Sequence, residues 1–348
     1  MADTIRVGIV GAGANTRSKH IPGLRAVPDV EIVGVVNRTP ESTAKAVEEL
    51  GIPQGFASWR ELVHSPDIDA VVVGTWPNLH RDVTCAALEA GKHVLTEARM
   101  ARNVAEAREM LAVSRAHPEL VAQIVPSPFG LESGPMLEEL LKNHYLGDLR
   151  EVVVLGANEQ FWDYTKPLHW RQDTEISGRN ILALGILQET LQRWVPQPEK
   201  VFAQTEIFEP SWPVPGENEF RNATIPDSVQ IITEFKGGSR GMYHISGVIQ
   251  FGPGLQIHMY GSRGTIKVEF GDEERVYVGR IGDDELKRLE IPEEQRGGWN
   301  VEADFIQSIR EQKPATLTDF ETGVAYMEFL EAVWLSAERN APVELPLS

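Results

Sequence analysis

The clearest chemistry-bearing residues lie in a glycine-rich turn that joins an apolar strand to a helix. Residues 5–10 read Ile-Arg-Val-Gly-Ile-Val, and Gly-Ala-Gly-Ala-Asn-Thr follows at 11–16. Gly11 permits a sharp turn, and Gly13 has no side chain to keep a diphosphate from the next helix N-terminus, whose amides and dipole attract phosphate. Thr16 departs from the G-x-G-x-x-G/A pattern, since a small residue there normally allows close packing of helix and sheet. We predict a dinucleotide-binding loop, with an ordinary tight turn as the alternative, formed by Gly11, Gly13, Ala14, Asn15 and Thr16.

A second polar pair follows the next apolar strand. The run Val-Glu-Ile-Val-Gly-Val-Val at 30–36 leads into Asn37 and Arg38. An acidic residue at this position normally accepts hydrogen bonds from the adenosine ribose of NAD, whereas a neutral residue followed by arginine leaves room and charge for a 2′-phosphate. The pair therefore favours NADP as the cofactor, with NAD as the second choice. The alternative is a solvated turn that has no role in binding.

The glycine-rich turn and the Asn37–Arg38 pair are expected to lie on a parallel sheet with helices on both faces. Strands and helices alternate from the N-terminus to residue 125, and such alternation predicts right-handed crossovers. Ligands bind at the carboxyl ends of the strands in sheets of this kind. We predict an N-terminal Rossmann domain over residues 1–125. Further cofactor contacts are expected just after the strands at 68–74 and 93–96, from Thr75, Trp76, Pro77, Asn78, His80, Glu97, Ala98 and Arg99.

Residues 126–348 predict a C-terminal α+β domain for substrate binding and oligomerisation. Extended segments separated by glycine and proline follow one another from 200 to 278 without intervening helices, which indicates a large, mostly antiparallel sheet. One face of this sheet is expected to support self-association as a dimer or tetramer. Thr318 and Glu321 have capping-box spacing and predict a helix start at Thr318. Helices are predicted at 180–194, 301–312 and 318–339.

The amino-acid composition restricts which molecules the protein is expected to bind and where it is expected to be located. The 348 residues carry a formal charge of −18, which repels nucleic acid and anionic membranes. Cys85 is the single cysteine, so an intrachain disulfide is excluded, and a reducing compartment is favoured. No signal peptide or membrane span is evident, and a cytoplasmic location is expected. The acidic residues at 271–274 are expected to form a solvated turn, and no metal site is predicted.

The order of these motifs resembles that of the glucose–fructose oxidoreductase, inositol dehydrogenase and rhizopine-catabolism (Gfo/Idh/MocA) family. The resemblance spans nearly the whole chain and is most specific in the first half. It implies NAD or NADP as cofactor and oxidation or reduction of a sugar or cyclitol hydroxyl. The matching stretches are the glycine loop, Val-Asn-Arg at 36–38, Thr-x-Pro-Asn-x-His at 75–80, Leu-Glu-Ala-Gly-Lys-His-Val-Leu-Thr-Glu at 88–97, Leu-Gly-Asp-Leu-Arg at 146–150, Trp-Arg at 170–171 and Gly-Ser-Arg-Gly-Thr at 261–265.

This chain departs from the family pattern at the positions where members usually carry their catalytic residues. Members normally follow Glu97 with lysine and proline, but Ala98 and Arg99 stand there. The aspartate and histidine that usually bind the sugar and move its proton are replaced by Ala183 and Leu187. The resemblance therefore implies a bound dinucleotide without the usual proton donors.

The loop at 161–171 offers replacements for those groups. Hydride transfer between a carbinol and nicotinamide requires a side chain that takes or gives the hydroxyl proton. Tyr164 and Lys166 would point to one side of an extended loop, where the lysine charge would lower the tyrosine pKa, and His169 titrates near neutrality. Arg171 is a suitable clamp for a carboxylate or carbonyl. We predict Tyr164, Lys166 and His169 as catalytic, with His80 as a further candidate, and Trp170, Arg171 and Gln188 as substrate-binding residues.

Three functions remain open from the sequence. The first is an NADP-dependent oxidoreductase of a carbohydrate-like substrate that uses a substituted proton donor. The second is a catalytically silent dinucleotide-binding protein that serves as a sensor, scaffold or partner subunit. The third is chemistry in which the cofactor stays bound and is recycled. We place the oxidoreductase first because the loop at 161–171 supplies ionisable groups that a scaffold does not need.

Overall fold

The structure is a computed structural model that describes residues 4–214, 216, 218–315 and 317–347. The chain divides into two units: Met1–Pro126 with Asn300–Val324, and Ser127–Trp299 with Ala325–Ser348. The sequence assigns everything after residue 125 to one C-terminal domain. That assignment is wrong for the segment Asn300–Val324, which belongs to the first unit.

A six-stranded parallel sheet forms the first unit, in the order β3-β2-β1-β4-β5-β6. This is the doubly wound Rossmann order, with its switch point between β1 and β4. The predicted fold class is confirmed. The strands are β1 (Ile5–Val10), β2 (Val30–Val36), β3 (Gln54–Gly55), β4 (Ala70–Val73), β5 (His93–Thr96) and β6 (Ala122–Ile124). The helices between them are α1 (Ile21–Ala26), α2 (Pro40–Leu50), α3 (Trp59–Val63), α4 (Pro77–Glu89) and α5 (Val104–Ala116), and a π-helical turn, Thr16–His20, precedes α1.

Local sequence signals explain where these elements begin and end. All four residues of β4 are buried, as expected for a strand covered by helices on both faces. Thr39 caps α2 in a capping box with Ser42, and Gly51 ends that helix in the left-handed conformation at φ 59°. Asn103 caps α5 by accepting from the Glu106 backbone N–H.

The second unit contains a nine-stranded, mostly antiparallel sheet, as predicted. Its order is β16-β15-β14-β13-β7-β12-β11-β8-β17, and only the β7–β12 pair is parallel among these neighbours. The strands, including the separate β9–β10 hairpin, are β7 (Leu149–Ala157), β8 (Pro198–Glu206), β9 (Ser211–Pro213), β10 (Phe220–Asn222), β11 (Ser228–Phe235), β12 (Arg240–Ser246), β13 (Gly254–Gly261), β14 (Gly264–Phe270), β15 (Glu274–Arg280), β16 (Lys287–Arg288) and β17 (Val343–Glu344). The helical elements are α6 (Gly134–Lys142), a 3₁₀ turn (Trp170–Gln172), α7 (Thr174–Ser177), α8 (Leu184–Leu191) and a second 3₁₀ turn (Glu293–Gln295).

Burial alternates along the central strands of this sheet. Ile231 is buried, whereas its neighbour Ile232 is 61% exposed and pairs in register with Met242, which is 51% exposed. Contiguous apolar patches at the surface often mark a contact with another protein, whereas single exposed apolar side chains are common. Self-association through this face stays a prediction.

Two sequence assignments in the second unit differ from the structure. The helix predicted at 180–194 is shorter, because Leu182 takes a positive φ of 44° and helical geometry begins only at Leu184. The predicted solvated turn at 271–274 is wrong at its last residue. The Glu274 carboxylate accepts hydrogen bonds from the backbone N–H of Gly130 at 2.6 Å and of Ser133 at 2.9 Å.

The segment Asn300–Val324 joins the first unit through specific contacts. It contains α9 (Val301–Glu311), from which Arg310 donates to the Pro28 carbonyl oxygen at 2.5 Å. The Thr318 carbonyl oxygen accepts from the backbone N–H of Ile124 at 3.0 Å, at the end of β6. These hydrogen bonds join the segment to a unit whose sheet is formed entirely by strands that lie before residue 125.

The last helix, α10 (Phe320–Arg339), begins two residues later than predicted. The Asp319 side chain accepts from the Thr322 backbone N–H at 2.8 Å and so acts as the cap in place of Thr318. Within the residues that the structure describes, no helix combines the length and the apolar character needed to cross a membrane.

Candidate functional site

The glycine loop has the geometry of a phosphate cradle. Gly11 has a φ of +90°, and a β-carbon on it would lie 2.9 Å from the Gly74 carbonyl. A β-carbon on Gly13 would meet only the Gly74 oxygen, at 3.6 Å, so the space beside Gly13 is open. The chain becomes helical at Ala14, where the first amides of a helix lack intrahelical acceptors. A pyrophosphate fits this arrangement of open space and unbonded N–H groups.

The side chain of Thr16 fits because Gly74, which lies against it, has no side chain. Thr16 is buried, and its hydroxyl donates to the Gly11 carbonyl oxygen at 3.0 Å. The atoms nearest to a β-carbon on Gly74 would be the Thr16 hydroxyl and the Gly11 carbonyl oxygen. The small residue that the motif lacks at position 16 is therefore present at position 74, and the loop keeps its close approach to the sheet.

Asn37 holds the loop from the neighbouring strand. Its Oδ1 accepts from the Ala12 backbone N–H at 2.8 Å, and its Nδ2 donates to the Ser42 carbonyl oxygen at 2.9 Å. This amide therefore has a structural task that the sequence did not reveal. Arg38 is exposed, and its guanidinium carbon lies 5.9 Å from the centroid of the Trp76 ring, which is 41% exposed.

His80 is buried between the turns that follow β4 and β5, and its ring contacts the backbone of both turns. It is therefore not exposed to a substrate as a proton donor would be. It is fully buried, with Nε2 3.0 Å from the Thr75 carbonyl oxygen and Nδ1 3.0 Å from the Arg99 carbonyl oxygen. Burial lowers the pKa of His80, so the neutral ring is favoured. Pro77 and Asn78 form the first turn of α4. Arg99 is buried, with only 4% of the residue exposed.

A buried histidine joins the glycine loop to two carboxylates. His20, the last residue of the π-helical turn, has no exposed surface. Its Nδ1 lies 2.5 Å from Glu302 Oε1 in α9, and its Nε2 lies 3.0 Å from Glu97 Oε1 after β5. Asn15 Nδ2 donates to the same Glu97 oxygen at 2.5 Å. We call Asn15, His20, Glu97 and Glu302 the His20 cluster.

The charges in the His20 cluster follow from these contacts. Burial acts to lower the pKa of His20, but the hydrogen bonds that its ring donates to Glu302 and Glu97 outweigh burial and raise it to about 9. Burial acts to raise the pKa of Glu97, yet the contacts with His20 and Asn15 prevail and lower it. At neutral pH His20 is thus an imidazolium that contacts the ionised Glu97 on one side and Glu302 on the other.

The structure does not bring Tyr164 and Lys166 together as a catalytic pair. The Lys166 ammonium lies 3.8 Å from the Asp163 carboxylate and is largely exposed. The Tyr164 ring packs edge-on against Trp212, with centroids 6.0 Å apart. Partial burial, followed by the charge of Glu209, raises the pKa of Tyr164. The expectation that Lys166 lowers this pKa is therefore wrong.

His169, in the loop at 161–171, is held by contacts with its neighbours in sequence. Its Nδ1 accepts from the Arg171 backbone N–H at 3.2 Å, which leaves the ring proton on Nε2 in the neutral form. Burial and the charge of Arg171 lower its pKa. The ring packs between Phe161 and Trp170, and the Arg171 guanidinium lies 4.1 Å from the Trp170 ring centroid.

Gln188 does not offer its side chain to a substrate. It is fully buried in α8, where its Oε1 accepts from the Tyr243 hydroxyl at 2.8 Å and its Nε2 lies 3.3 Å from Gln197 Oε1. The substrate-binding assignment of Gln188 is therefore corrected to a structural one. Leu187, which stands where the family places histidine, is also fully buried.

Three charged or titratable residues near the glycine loop were not predicted from the sequence. Arg17 donates from Nε to the Ala12 carbonyl oxygen at 2.9 Å and pairs with Glu49 at 3.0 Å. His20 and Glu302 form the buried pair described above. A charged residue within the first turn after a glycine loop is a usable signal for Arg17 and His20. No sequence pattern indicates Glu302, because it lies 282 residues from His20.

The parallel sheet, its strand order and the glycine cradle define a dinucleotide-binding protein of the Rossmann class. Comparison with known proteins gives the family. Residues 5–124 match the family described as "Oxidoreductase family, NAD-binding Rossmann fold", and residues 136–267 match the "GFO/IDH/MocA C-terminal domain". The chain belongs to the Gfo/Idh/MocA family of oxidoreductases, as its motifs predicted.

Individual relatives are distant. "Uncharacterized oxidoreductase ORF334" of Rhizobium meliloti is 24% identical over 97% of this chain and 98% of its own length. "1,5-anhydro-D-fructose reductase" of Ensifer adhaerens is 41% identical over 32% of this chain and 33% of its own. A solved structure of levoglucosan dehydrogenase with NADH and L-sorbose is 19% identical, with a TM-score of 0.89 over 99% of this chain and 100% of that one. The structural match shows a shared fold.

The cradle predicts opposite effects for two glycine substitutions. Gly13→Ala should leave the free energy of unfolding within about 1 kcal/mol, because the added carbon enters open space, but it should weaken dinucleotide binding about tenfold or more by blocking the phosphate. Gly74→Ala should cost about 1–3 kcal/mol of stability, because it crowds Thr16 and Gly11. Urea unfolding and fluorescence titration measure the two effects. Gly134→Ala, also into open space, is the control, and loss of binding in that variant would remove the argument.

The raised pKa of His20 predicts a pH-dependent stability. A group whose pKa is raised on folding stabilises fully below its unfolded pKa and loses that effect as pH rises through the folded pKa of about 9. Between about pH 6.5 and 9 the wild type should therefore lose up to about 1.4 kcal/mol per pH unit more than His20→Gln. Urea unfolding at several pH values measures the difference. Parallel curves for the two proteins would show that His20 gains no proton affinity on folding.

Proposed function

We propose that this protein is an NADP(H)-dependent oxidoreductase of a sugar, cyclitol or polyol-like substrate, with a proton donor other than the family's lysine. The observation that carries the proposal is the cradle at Gly11 and Gly13, which fits a pyrophosphate. Gly13, Ala14 and Asn15 would hold the diphosphate, and Arg38 and Trp76 the adenosine half. When bound, the nicotinamide supplies or accepts the hydride. The two named relatives, a 1,5-anhydro-D-fructose reductase and a levoglucosan dehydrogenase, support the carbohydrate class.

NADP is favoured because the end of β2 carries positive charge and no carboxylate. Arg38 is exposed there, and Asn37 uses its oxygen to hold Ala12. An acidic residue in that place would repel a 2′-phosphate, whereas a guanidinium binds one with a directional, charge-assisted fork. Arg17, on the other side of Ala12, adds a second guanidinium close to the same loop.

The second unit would contribute substrate contacts and the proton donor. We propose His169 as that group, because burial and the charge of Arg171 lower its pKa and favour the neutral imidazole, a base that takes the substrate's hydroxyl proton during oxidation and, as imidazolium, returns it during reduction. Trp170 and Arg171 would bind the substrate. Arg171 stacks on Trp170, which limits the freedom of its guanidinium and favours a fixed clamp.

A catalytically silent binding protein is the second candidate. It is favoured by one observation: Ala98, Ala183 and Leu187 all replace the family's polar residues, and Leu187 is fully buried. Absorbance at the reduced-nicotinamide band, followed with a panel of sugars, cyclitols and polyols, separates the two candidates. Tight NADPH binding without turnover of any compound would establish the silent protein and remove the oxidoreductase.

NADPH should bind more tightly than NADH, and Arg38 should cause the difference. Arg38→Met should weaken NADPH binding about tenfold through loss of a charge-assisted hydrogen bond, with little change for NADH. Quenching of tryptophan fluorescence measures both affinities. Arg115→Met, which removes an equal charge from an exposed salt bridge with Glu321, is the matched control. Tighter binding of NADH by the wild type would overturn the NADP assignment.

Once a substrate is found, substitutions in the loop at 161–171 should separate by position. His169→Gln should lower kcat about 100-fold or more, a typical value for loss of a general acid or base. Tyr164→Phe and Lys166→Ala should stay within about threefold of wild type, because one side chain packs on Trp212 and the other pairs with Asp163. Steady-state kinetics across pH checks this order. A large loss in Lys166→Ala together with a wild-type rate in His169→Gln would reverse the assignment.

A further inference from the structure

The His20 cluster lies where the two halves of a bound dinucleotide have different charges. In a sheet of this strand order the dinucleotide lies across the carboxyl ends of the strands, about the switch point between β1 and β4. The end of β2, with Asn37, takes the adenosine half, so the nicotinamide half falls towards the ends of β4 and β5. Glu97 directly follows β5, and its carboxylate contacts Asn15 of the glycine loop at 2.5 Å.

Oxidised nicotinamide carries a positive ring charge that the reduced form lacks. Nearby charge therefore affects the two forms unequally, whereas ordinary contacts with the diphosphate and adenosine affect them alike. A fixed negative charge favours the cation, and its influence is large when the charge is shielded from water. The Glu97 side chain is 15% exposed, and His20 and Glu302 are nearly fully buried.

We propose that Glu97, held by His20 and Asn15, makes this protein bind the oxidised nicotinamide dinucleotide more tightly, relative to the reduced one, than it otherwise would. The proposal rests on the proposed function only in requiring that the chain binds the cofactor. His20 is then a positioning residue: its Nε2 contact fixes one Glu97 oxygen, while its Nδ1 contacts Glu302. The Glu97 carboxylate is thereby held next to the glycine loop, where Asn15 donates to it.

The geometry distinguishes this role from proton transfer. His20 has no exposed surface, and both of its ring nitrogens are taken by carboxylates, so it cannot exchange a proton directly with a substrate. The pKa of Glu97 is lowered, which makes the carboxylate a weak base. A permanent charge is what this arrangement maintains.

Equilibrium dissociation constants of the oxidised and reduced cofactor test the proposal without any substrate. Glu97→Gln keeps the shape and an oxygen acceptor but removes the charge. The ratio of the oxidised to the reduced dissociation constant should rise about tenfold, as expected for one unit charge at close range in a partly buried site. Glu97→Asp keeps the charge and should leave the ratio within about threefold of wild type. Glu109→Gln, on the exposed side of α5, removes an equal charge elsewhere and should not change the ratio.

The wild type provides an independent measurement if a variant fails to fold. As His20 loses its proton near pH 9, the cluster becomes more negative, and the same ratio should fall about threefold between pH 7.5 and 9.5. Glu97 and Asn15 face His20 from one side and Glu302 from the other; Asp304 next to Glu302 and His80 near Glu97 are the next titratable groups. An unchanged ratio in Glu97→Gln, or in the wild type across this pH range, overturns the inference. Absence of binding for both nicotinamide dinucleotides overturns the proposed function instead.

Discussion

The first unit depends on one constraint: the backbone at Ala12 is held on both sides. The Ala12 N–H donates to Asn37 Oδ1, and the Ala12 carbonyl oxygen accepts from Arg17 Nε. The Thr16 hydroxyl donates to the carbonyl oxygen of Gly11. These side chains come from the end of β2 and from the first turn after the loop. Because buried polar groups that are fully paired resist rearrangement, the loop has its shape before any ligand arrives. Amides that are fixed in advance bind an anion without an ordering cost.

The His20 cluster extends this constraint to a distant segment of the chain. The contact between His20 and Glu302 attaches α9 to the glycine loop, so a helix from the last fifth of the sequence becomes part of the cofactor-binding unit. Such a buried pair is stable only while both partners are present, since a lone buried charge is costly. The arrangement therefore couples the position of Glu97 to the packing of α9, and it gives the unit a dependence on pH that the loop alone would not have.

Sequence reasoning succeeded where one local pattern determined one local structure. The strands at β1, β2 and β4 follow from their apolar runs, and Gly11 and Gly13 from the demands of a phosphate turn. It failed where two distant residues share a task. Thr16 looked like a defect in the motif because its complement, Gly74, lies 58 positions further along. The assignment of Gln188 to substrate failed for the same reason, since its partner Tyr243 comes from another strand. Helix ends shifted where a positive φ at Leu182 or a cap at Asp319 decided the boundary.

Three positions of the family pattern are substituted in this chain, whereas Glu97 is kept. Glu97, which the family also carries, contacts His20 and Asn15 beside the glycine loop; His20 has no exposed surface, Glu97 is partly buried and Asn15 is exposed. Ala98, Ala183 and Leu187 stand where the family acts on the substrate's proton, and none of them can carry charge. A protein that only used its fold as a scaffold would have no reason to maintain a buried imidazolium between two carboxylates, because burying charge is expensive. The first unit therefore keeps a charged cluster beside the glycine loop, while the transfer of the substrate's proton by another residue stays a proposal.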